Sequence, residues 1–335
     1  MKRNTNNKFL VLIRRVAILL PVFFCASAIA KNFAYQFEPD DLISHEAMQL
    51  ENISSLGISR HNVNKLPVTE LSGLAWDAHK KLLYAVSDSG YLYHLKLTIK
   101  HGKLLKATVL RAYKLRDKKG NPFRGKYRDS EGLTLKRNNK GVVTELIISF
   151  ERKFRIVRFD LQGQQLGKIK LPKVLRKKKH YQSTNKGLES VTLHPKYGLI
   201  TAAEKPLKTA PKNVQTLYSS KGKVWHFKLS VHRNSSVTGL ETLPNGDVLV
   251  LERSYNGLFA AMIISLRQVK LTECNQLGYC QVEELAVFNS IDGWRVDNFE
   301  GLTHYQGNQY LMVSDDNENP MQNTVLVLFN IKHLK

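Results

Sequence analysis

The sequence lacks the short motifs that identify several classes of hydrolase. It contains no G-x-S-x-G nucleophile elbow, no H-E-x-x-H pair and no P-loop. The tripeptide Asp129-Ser130-Glu131 places a serine between two acids, but no histidine is placed by the sequence to activate it. These absences argue against a serine hydrolase, a zinc protease of the H-E-x-x-H type and a P-loop nucleotide hydrolase.

Helical periodicity and long apolar runs are missing beyond the first 30 residues. Val, Ile, Leu and aromatic residues fall instead in short runs, as they do in β-strands. Apolar residues make up 42% of the chain and charged residues 24%, which is typical of a globular protein. The 335 residues suit one large β domain or two ordinary ones.

Residues 1–30 have the pattern of a secretory signal peptide. A basic start, Lys2 to Arg15, precedes the apolar run VAILLPVFF, and AIA at 28–30 fits a cleavage site. The apolar stretch 16–30 is shorter than the ~20 residues of a membrane span. We predict export, to the periplasm or the medium, with no transmembrane span after cleavage. An uncleaved anchor is the alternative.

Cysteine is scarce, and Cys25 lies within the signal segment. The other two, Cys274 and Cys280, stand close together in CNQLGYC. In an exported protein such a pair is predicted to close a disulfide. A zinc half-site is the alternative, but no second Cys or His pair accompanies it.

Acidic residues are few, with 28 Asp and Glu against 51 Lys and Arg and a formal charge of +23. Loss of the signal, with five bases and no acids, leaves +18. We expect a monomer that binds an anionic small-molecule ester or an anionic envelope surface. Nucleic acid is not expected, because an exported protein rarely meets it and only residues 176–179 form a dense basic run.

Five related hairpin patterns recur along the chain. Gly73, Gly132, Ser190, Gly239 and Gly301 hold the second position, at spacings of 59, 58, 49 and 62 residues. The segments are SGLAWDAHKKLLYAVSD (72–88), EGLTLKRNNKGVVTELIISFE (131–151), ESVTLHPKYGLITAAE (189–204), TGLETLPNGDVLVLE (238–252) and EGLTHYQGNQYLMVSD (300–315). Further short strands follow most hairpins. This period predicts an all-β fold, a five-bladed β-propeller, with a degenerate sixth blade as the alternative.

The ring of blades is predicted to close through an N-terminal strand. The last blade ends after TVLVLFNIKHL without a fourth strand. The segment ISSLGISRH (53–61), before the first hairpin, is a predicted strand that belongs to none of the five repeats. Joining the two removes exposed sheet edges. We therefore assign residues 31–49 to a lead segment and residues 50–335 to a single propeller domain.

Carboxylates occupy both ends of the repeated hairpin. The first strands open on Ser72, Glu131, Glu189, Thr238 and Glu300, and the second strands are followed by Asp88, Glu151, Glu204, Glu252 and Asp315. The start and the end of a hairpin lie together, and the first strand of a propeller blade lines the central channel. These side chains should therefore gather around one mouth of that channel.

Up to eight carboxylates at one mouth predict a divalent cation, Ca²⁺ before others, because Ca²⁺ takes six to eight oxygen ligands. Zinc fits poorly without a histidine cluster. The alternative is that the acids pair with Arg and Lys or cap strand ends. A base follows three of the outer acids, and Arg152, Lys205 and Arg253 are candidates to bind an anionic substrate. They would otherwise be adjacent charges on opposite strand faces.

The chain resembles a known family in DSEGL (129–133), GLES (187–190), LPNGDVLVLER (243–253) and NFEGLTHY…SDDN (298–317). These segments are similar to the bacterial phytase-like family known as "esterase-like activity of phytase", over about residues 71–328. The resemblance implies an exported β-propeller that hydrolyses phosphoesters or other esters. The motifs of the calcium-dependent propeller phytases do not match residue by residue, so no ligand is carried over from them. The calcium-dependent lactonase propellers, with one Ca²⁺ at the channel mouth, offer a second analogy. Here Ser72 and Thr238 replace acid in two blades, which leaves Glu131, Glu189 and Glu300 as the strongest ligand candidates.

Two functions follow from these patterns. One is metal-assisted hydrolysis of phosphate or other anionic esters. The other is a non-catalytic, envelope-associated binding or scaffold propeller whose acidic ring is structural. Propellers host many functions, so the fold alone does not decide between them.

Overall fold

The computed structural model describes residues 32–40, 48–257 and 260–332 of the chain. These residues form 23 β-strands and a few short 3₁₀ turns. The first four strands are β1 (Asn32–Ala34), β2 (Leu50–Ile58), β3 (His61–Val63) and β4 (Leu66–Val68). Among the described residues, no helix has the length and apolar character needed to cross a membrane.

The next nineteen strands build five antiparallel sheets. Blade one holds β5 (Leu71–Asp77), β6 (Leu82–Ser87), β7 (Tyr91–Lys100) and β8 (Lys103–Lys114). Blade two holds β9 (Ser130–Arg137), β10 (Val143–Phe150), β11 (Arg155–Phe159) and β12 (Gln165–Ile169). Blade three holds β13 (Ser190–His194), β14 (Gly198–Ala202), β15 (Val214–Ser219) and β16 (Val224–Lys228). Blade four holds β17 (Ser236–Thr242), β18 (Val248–Ser254), β19 (Ile263–Cys274) and β20 (Cys280–Asn289). Blade five holds β21 (Asn298–Gln306), β22 (Gln309–Asp315) and β23 (Thr324–Ile331).

The five-bladed propeller predicted from the sequence is confirmed, including its closure. Strand β2 pairs antiparallel with β23, so the N-terminal strand completes the blade that the C-terminal strands begin. The described part of the lead segment adds what the repeats did not predict. Strand β1 pairs with the outer side of β2, and the last blade thus has five strands. The predicted signal segment, residues 1–30, lies outside the described residues.

The core consists of apolar side chains packed between neighbouring blades. One cluster joins blades four and five through Trp294, Phe288 and Phe299, which are fully or almost fully buried. Each strand face that meets another blade contributes apolar residues, so inner strands such as LSGLAWD are buried along their whole length. Burial on both faces explains why these strands read as short continuous apolar runs rather than as alternating patterns.

Glycine at the repeated second position lets the inner strands meet at the propeller axis. A Cβ on Gly73 would lie 2.2 Å from the carbonyl oxygen of Glu131, and one on Gly132 would lie 2.7 Å from the amide nitrogen of Val191. The space left between the inner strands is about 10 Å³, at most enough for one water molecule. The axis is therefore closed at this level, and chemistry is confined to its ends.

Replacing Gly132 with Ala should destabilise the protein by about 1–3 kcal/mol, because the added methyl meets backbone atoms that cannot move aside. The matched control is Gly167→Ala in outer strand β12. A Cβ there meets only the end of the Arg158 side chain, which can rotate away. Urea unfolding of both variants measures the difference. Equal stability of the two would contradict close packing at the axis.

The two cysteines outside the signal segment are joined. Cys274 ends β19 and Cys280 begins β20, and the structure contains a disulfide between them across the turn of the blade-four hairpin. The predicted pairing is thus present in the structure, and the zinc half-site is not supported.

Candidate functional site

Three of the repeated hairpins end in backbone hydrogen bonds at the same end of the propeller. The amide of Glu151 donates to the carbonyl of Asp129 at 3.1 Å, and the amide of Glu204 donates to that of Gly187 at 2.8 Å. The amide of Asp88 makes the equivalent bond to Glu70 at 3.3 Å. These bonds place each outer acid beside the start of the inner strand, as the repeat pattern predicted. We call this end of the axis the mouth.

β-Bulges lie at the mouth in four of the five inner strands. The pairing register shifts at Ser72, Thr238 and Glu300, the residues just before the aligned glycines. In β9 it shifts across the two consecutive residues Glu131 and Gly132. A bulge bends the strand and re-aims a side chain. In β13 no shift occurs, and Glu189 stands just before the strand. The fold thus turns the first-position side chains through local irregularities that the repeat pattern did not reveal.

Seven carboxylates meet at the mouth in three overlapping groups. Within each group, one oxygen per residue lies within 4.8 Å of the others. The groups are Asp88 with Glu131 and Glu300, Asp129 with Glu131 and Glu151, and Glu151 with Glu189 and Glu204. Glu131 and Glu151 each belong to two groups, so the three form a continuous arc that we call the acid cluster.

Among the residues that the structure describes, three basic side chains contact the acid cluster. Arg253 lies 2.7 Å from Glu300 and 3.4 Å from Glu204, and Lys186 lies 2.8 Å from Glu204. Arg152 lies 3.3 Å from Asp129 at the rim. Seven carboxylates against three cations leave an excess of negative charge in a largely buried place. Buried negative charge of this kind is stabilised either by protonation of some carboxylates or by a further bound cation.

Carboxyl pKa values at the mouth are raised in the absence of a metal. Burial, together with the neighbouring Asp88, Glu189 and Glu300 carboxylates, raises the pKa of Glu131 well above its ordinary value. The pKa values of Asp88 and Glu189 rise for the same two reasons. Burial and the nearby Asp129 raise the pKa of Glu151 to about 7. Near neutral pH the cluster therefore retains protons that a bound cation would displace.

The Arg253 guanidinium is held by carboxylates of two blades, Glu204 of blade three and Glu300 of blade five. Burial works to lower its pKa, but the surrounding Glu300, Glu204 and Glu189 carboxylates outweigh that effect and raise it. Its side chain is only 18% exposed. The guanidinium therefore stays charged and ties Glu300 to Glu204.

Glu300 and Asp315 are partly satisfied by the protein. Glu300 accepts hydrogen bonds from Arg253 and, at 2.9 Å, from the side-chain amide of Asn298. Asp315 accepts from the backbone amide of Asn317 at 2.7 Å. Asp315 lies outside the three groups of the acid cluster, but its charge still raises the pKa of Asp88. The pairing alternative foreseen from the sequence thus applies in part to these two residues.

Glu252 holds the repeat position in blade four but does not join the acid cluster. Its carboxylate accepts hydrogen bonds from Arg267 at 2.8 Å, from the Ser230 amide at 2.8 Å and from the Ser235 hydroxyl at 2.6 Å. These partners, one on β19 and two in the loop before β17, engage both carboxylate oxygens. Arg267 lies on β19, and nothing in the hairpin repeat signals that it reaches Glu252.

Three mouth residues were not singled out by the sequence patterns. Glu70 and Asp129 stand two residues before the first position of their hairpins, and their carbonyls accept the closing bonds described above. The sequence feature that could have identified them is an acid two residues before the first position in both blade one and blade two. Lys186 lies in the loop before β13, three residues before Glu189, and Arg128 holds the same offset in blade two.

An open cavity of about 690 Å³ adjoins the acid cluster on the side of blades three to five. Its lining includes Lys186, Lys205, Arg253 and Glu204, together with several Asn side chains. Lys205 donates to the carbonyls of Asn234 and Ser235, which hold its ammonium group at the cavity wall. Of the three bases predicted to bind substrate, Lys205 and Arg253 line this cavity, whereas Arg152 lies outside it.

The donor set fits a hard divalent cation. All seven side chains of the acid cluster offer carboxylate oxygens, and no histidine or cysteine joins the three groups. Glu131 is 4% exposed and makes no hydrogen bond or ion pair with the described part of the chain. A buried, unpartnered carboxylate with carboxylate neighbours is the environment that a cation stabilises. The acid cluster can thus hold a metal ion.

Comparison with known proteins identifies one family. A family model described as "Phytase-like: Esterase-like activity of phytase" matches residues 66–318. None of the curated proteins compared with the chain matches it. A solved structure described as "Structure of Dos1 propeller" is similar at 10% identity, with a TM-score of 0.35, over 83% of this chain and 74% of that chain.

Proposed function

Because the chain belongs to the phytase-like family, we propose that it is a metal-dependent hydrolase of phosphate or other anionic esters. Glu131 and Glu151, which each belong to two groups of the acid cluster, would be the central ligands of the cation, with Asp88 and Glu300 as further oxygen donors beside Glu131 and Glu189 beside Glu151. Ca²⁺ is the cation that an all-carboxylate set of this size suits best. The observation that carries the proposal is Glu131, a buried carboxylate without a partner, at the centre of the acid cluster.

The cation, when bound, would polarise an ester oxygen and offset negative charge that develops during hydrolysis. The chain's own residues supply the rest of the site. Lys205 and Lys186 present ammonium groups to the cavity beside the acid cluster and would bind the anionic part of the substrate. Arg253 acts mainly through Glu300 and Glu204, since its guanidinium is already engaged by both.

The signal-like N-terminal segment and the Cys274–Cys280 disulfide support export. We place the working protein in the periplasm or outside the cell. There, free Ca²⁺ is commonly abundant enough to fill sites of modest affinity, for which dissociation constants of about 10⁻⁴–10⁻³ M are usual.

The proposal is tested by assaying chromogenic phosphoesters and carboxylesters with Ca²⁺ and with EDTA. We expect hydrolysis that EDTA abolishes and Ca²⁺ restores. Lys205→Gln should raise KM about tenfold and leave kcat nearly unchanged, because it removes a contact made equally in ground and transition states. Lys221→Gln, far from the mouth, is the control. No hydrolysis of any ester by protein that still binds Ca²⁺ would favour the binding or scaffold propeller instead.

A further inference from the structure

Charge is divided unevenly around the propeller. Residues 161–240, which run from the last strand of blade two through blade three to the start of blade four, contain 16 Lys and Arg but only two acids, Glu189 and Glu204. Both acids lie in the acid cluster. Residues 241–332, in blades four and five, carry 5 bases and 12 acids. Residues 71–160, in blades one and two, carry 21 bases and 8 acids, so blades one to three are basic and blades four and five acidic, and residues 161–240 have the fewest acids to offset their bases.

Three loops of the basic side leave the propeller on the same face as the mouth. They follow β12, β14 and β16, which all run toward the end where Glu151 and Glu204 close their hairpins. We call residues 170–188, 205–213 and 229–235 the basic shelf. The amide of Lys208 donates to the carbonyl of His180 at 2.8 Å, and that of Leu229 to Asn213 at 2.9 Å. These bonds join the three loops into one surface.

The basic shelf holds nine Lys and two Arg and no acid. Within the described part of the chain, only Lys186 among these eleven pairs with a carboxylate. Lys177, Lys178 and Lys179 are exposed beside one another, and Lys208 and Lys212 are exposed on the adjoining loop. Unpaired, exposed positive charge of this density attracts a polyanionic surface.

The composition of the basic shelf favours a lipid surface over a nucleic acid. Tyr181 is its one Phe, Trp or Tyr side chain, and it is buried, so the shelf offers no platform on which bases could stack. Lys outnumbers Arg, and ammonium groups act as point charges that suit a laterally mobile headgroup layer rather than bidentate recognition. Val231, in the third loop of the shelf, is 93% exposed. An apolar side chain there can enter the interfacial region of a bilayer.

We propose that the basic shelf docks the protein onto a membrane surface rich in anionic phospholipid, with the mouth facing the headgroups. Clusters of four to eight Lys and Arg are typical of such electrostatic attachment. The inference goes beyond the proposed hydrolysis and does not depend on it, because the exposed lysines that carry it, Lys177 to Lys179, Lys208 and Lys212, belong to neither the acid cluster nor the cavity, whose Lys186 and Lys205 lie at the edge of the shelf. It also gives the excess of basic residues a role that the reaction itself does not require.

Co-sedimentation with lipid vesicles tests this docking. The full mature chain, in EDTA so that the acid cluster is metal-free, is mixed with vesicles of phosphatidylcholine alone or with phosphatidylglycerol. We expect binding only to the anionic vesicles, and its loss in high salt. The variant Lys177→Gln/Lys178→Gln/Lys179→Gln should bind at least about tenfold more weakly, since each lysine adds to the attraction.

A matched variant on the opposite face controls for total charge. Lys196, Lys221 and Lys223 lie in the β13–β14 and β15–β16 turns, at the far end of the same blade. Their triple replacement by Gln should leave binding unchanged. Equal weakening by the two triple variants would overturn the proposal, as would no binding of the wild type to anionic vesicles. Binding to soluble dextran sulfate but not to vesicles would overturn it too, in favour of a soluble polyanion.

Discussion

Replacing Arg253 with Met should destabilise the metal-free protein by about 3–5 kcal/mol, the cost of leaving buried charges without their partner. Arg253 contacts Glu300 at 2.7 Å and Glu204 at 3.4 Å. Its guanidinium thereby links blade three to blade five at the mouth. The loss should be larger at pH 7.5 than at pH 5, because burial raises the pKa of Glu300, so that this carboxyl takes up a proton at the lower pH once its partner is gone. Urea unfolding in EDTA at both pH values measures it.

The matched control for Arg253 is Arg152→Met. Arg152 also pairs with a carboxylate of the acid cluster, but its side chain is 51% exposed. An exposed pair contributes at most about 1 kcal/mol, so this variant should remain close to wild type. If Arg253→Met cost no more than Arg152→Met, the buried guanidinium would not be what holds the two blades at the mouth.

The Glu131→Gln variant should lose at least about a hundredfold in Ca²⁺ affinity, since one of the few charged oxygens of a calcium site is removed. Its metal-free form should be more stable than the wild type near pH 7.5. Burial and neighbouring carboxylates raise the pKa of Glu131. The unfolded chain releases this proton at the ordinary pKa, and the native protein only at a higher pH. Stability therefore falls as pH rises between the two values, and Gln removes that fall.

Glu252→Gln separates the role of Glu131 from that of an acid in general. Glu252 has the equivalent repeat position in blade four but serves Arg267, Ser230 and Ser235. This variant should be destabilised equally in Ca²⁺ and in EDTA, with Ca²⁺ affinity unchanged. Thermal melting of both variants in the two buffers gives the comparison. An identical response of Glu131→Gln and Glu252→Gln would contradict the placement of the metal.

The fold could be predicted from the sequence because a propeller repeats its signal. Five hairpins at similar spacing, each with glycine or serine at the second position, identify the inner strands, and the missing last strand identifies β2 as its replacement. The glycines carry this signal because neighbouring backbones exclude a Cβ at the axis. Strand β1 escaped prediction because three residues on the edge of one blade have no counterpart in the others.

The acid cluster was predicted in outline but not in its membership. The repeat placed Glu131, Glu151, Glu189 and Glu204 together, since equivalent positions in a ring converge. It could not show that Glu252 pairs with Arg267 and therefore does not join the acid cluster, because that contact depends on a side chain from another strand. Bulges at the first position turn side chains in ways that pairing rules alone do not fix.

The central claim is that the acid cluster binds a divalent cation, and isothermal titration of metal-stripped protein with CaCl₂ tests it most directly. We expect saturable binding of at least one Ca²⁺ per chain. At pH 6–7, comparison of buffers with different ionisation heats should show that protons are released, because the raised carboxyl pKa values leave protons for the cation to displace. Absence of saturable binding up to about 10 mM Ca²⁺, beyond the range of ordinary extracellular sites, would contradict the account.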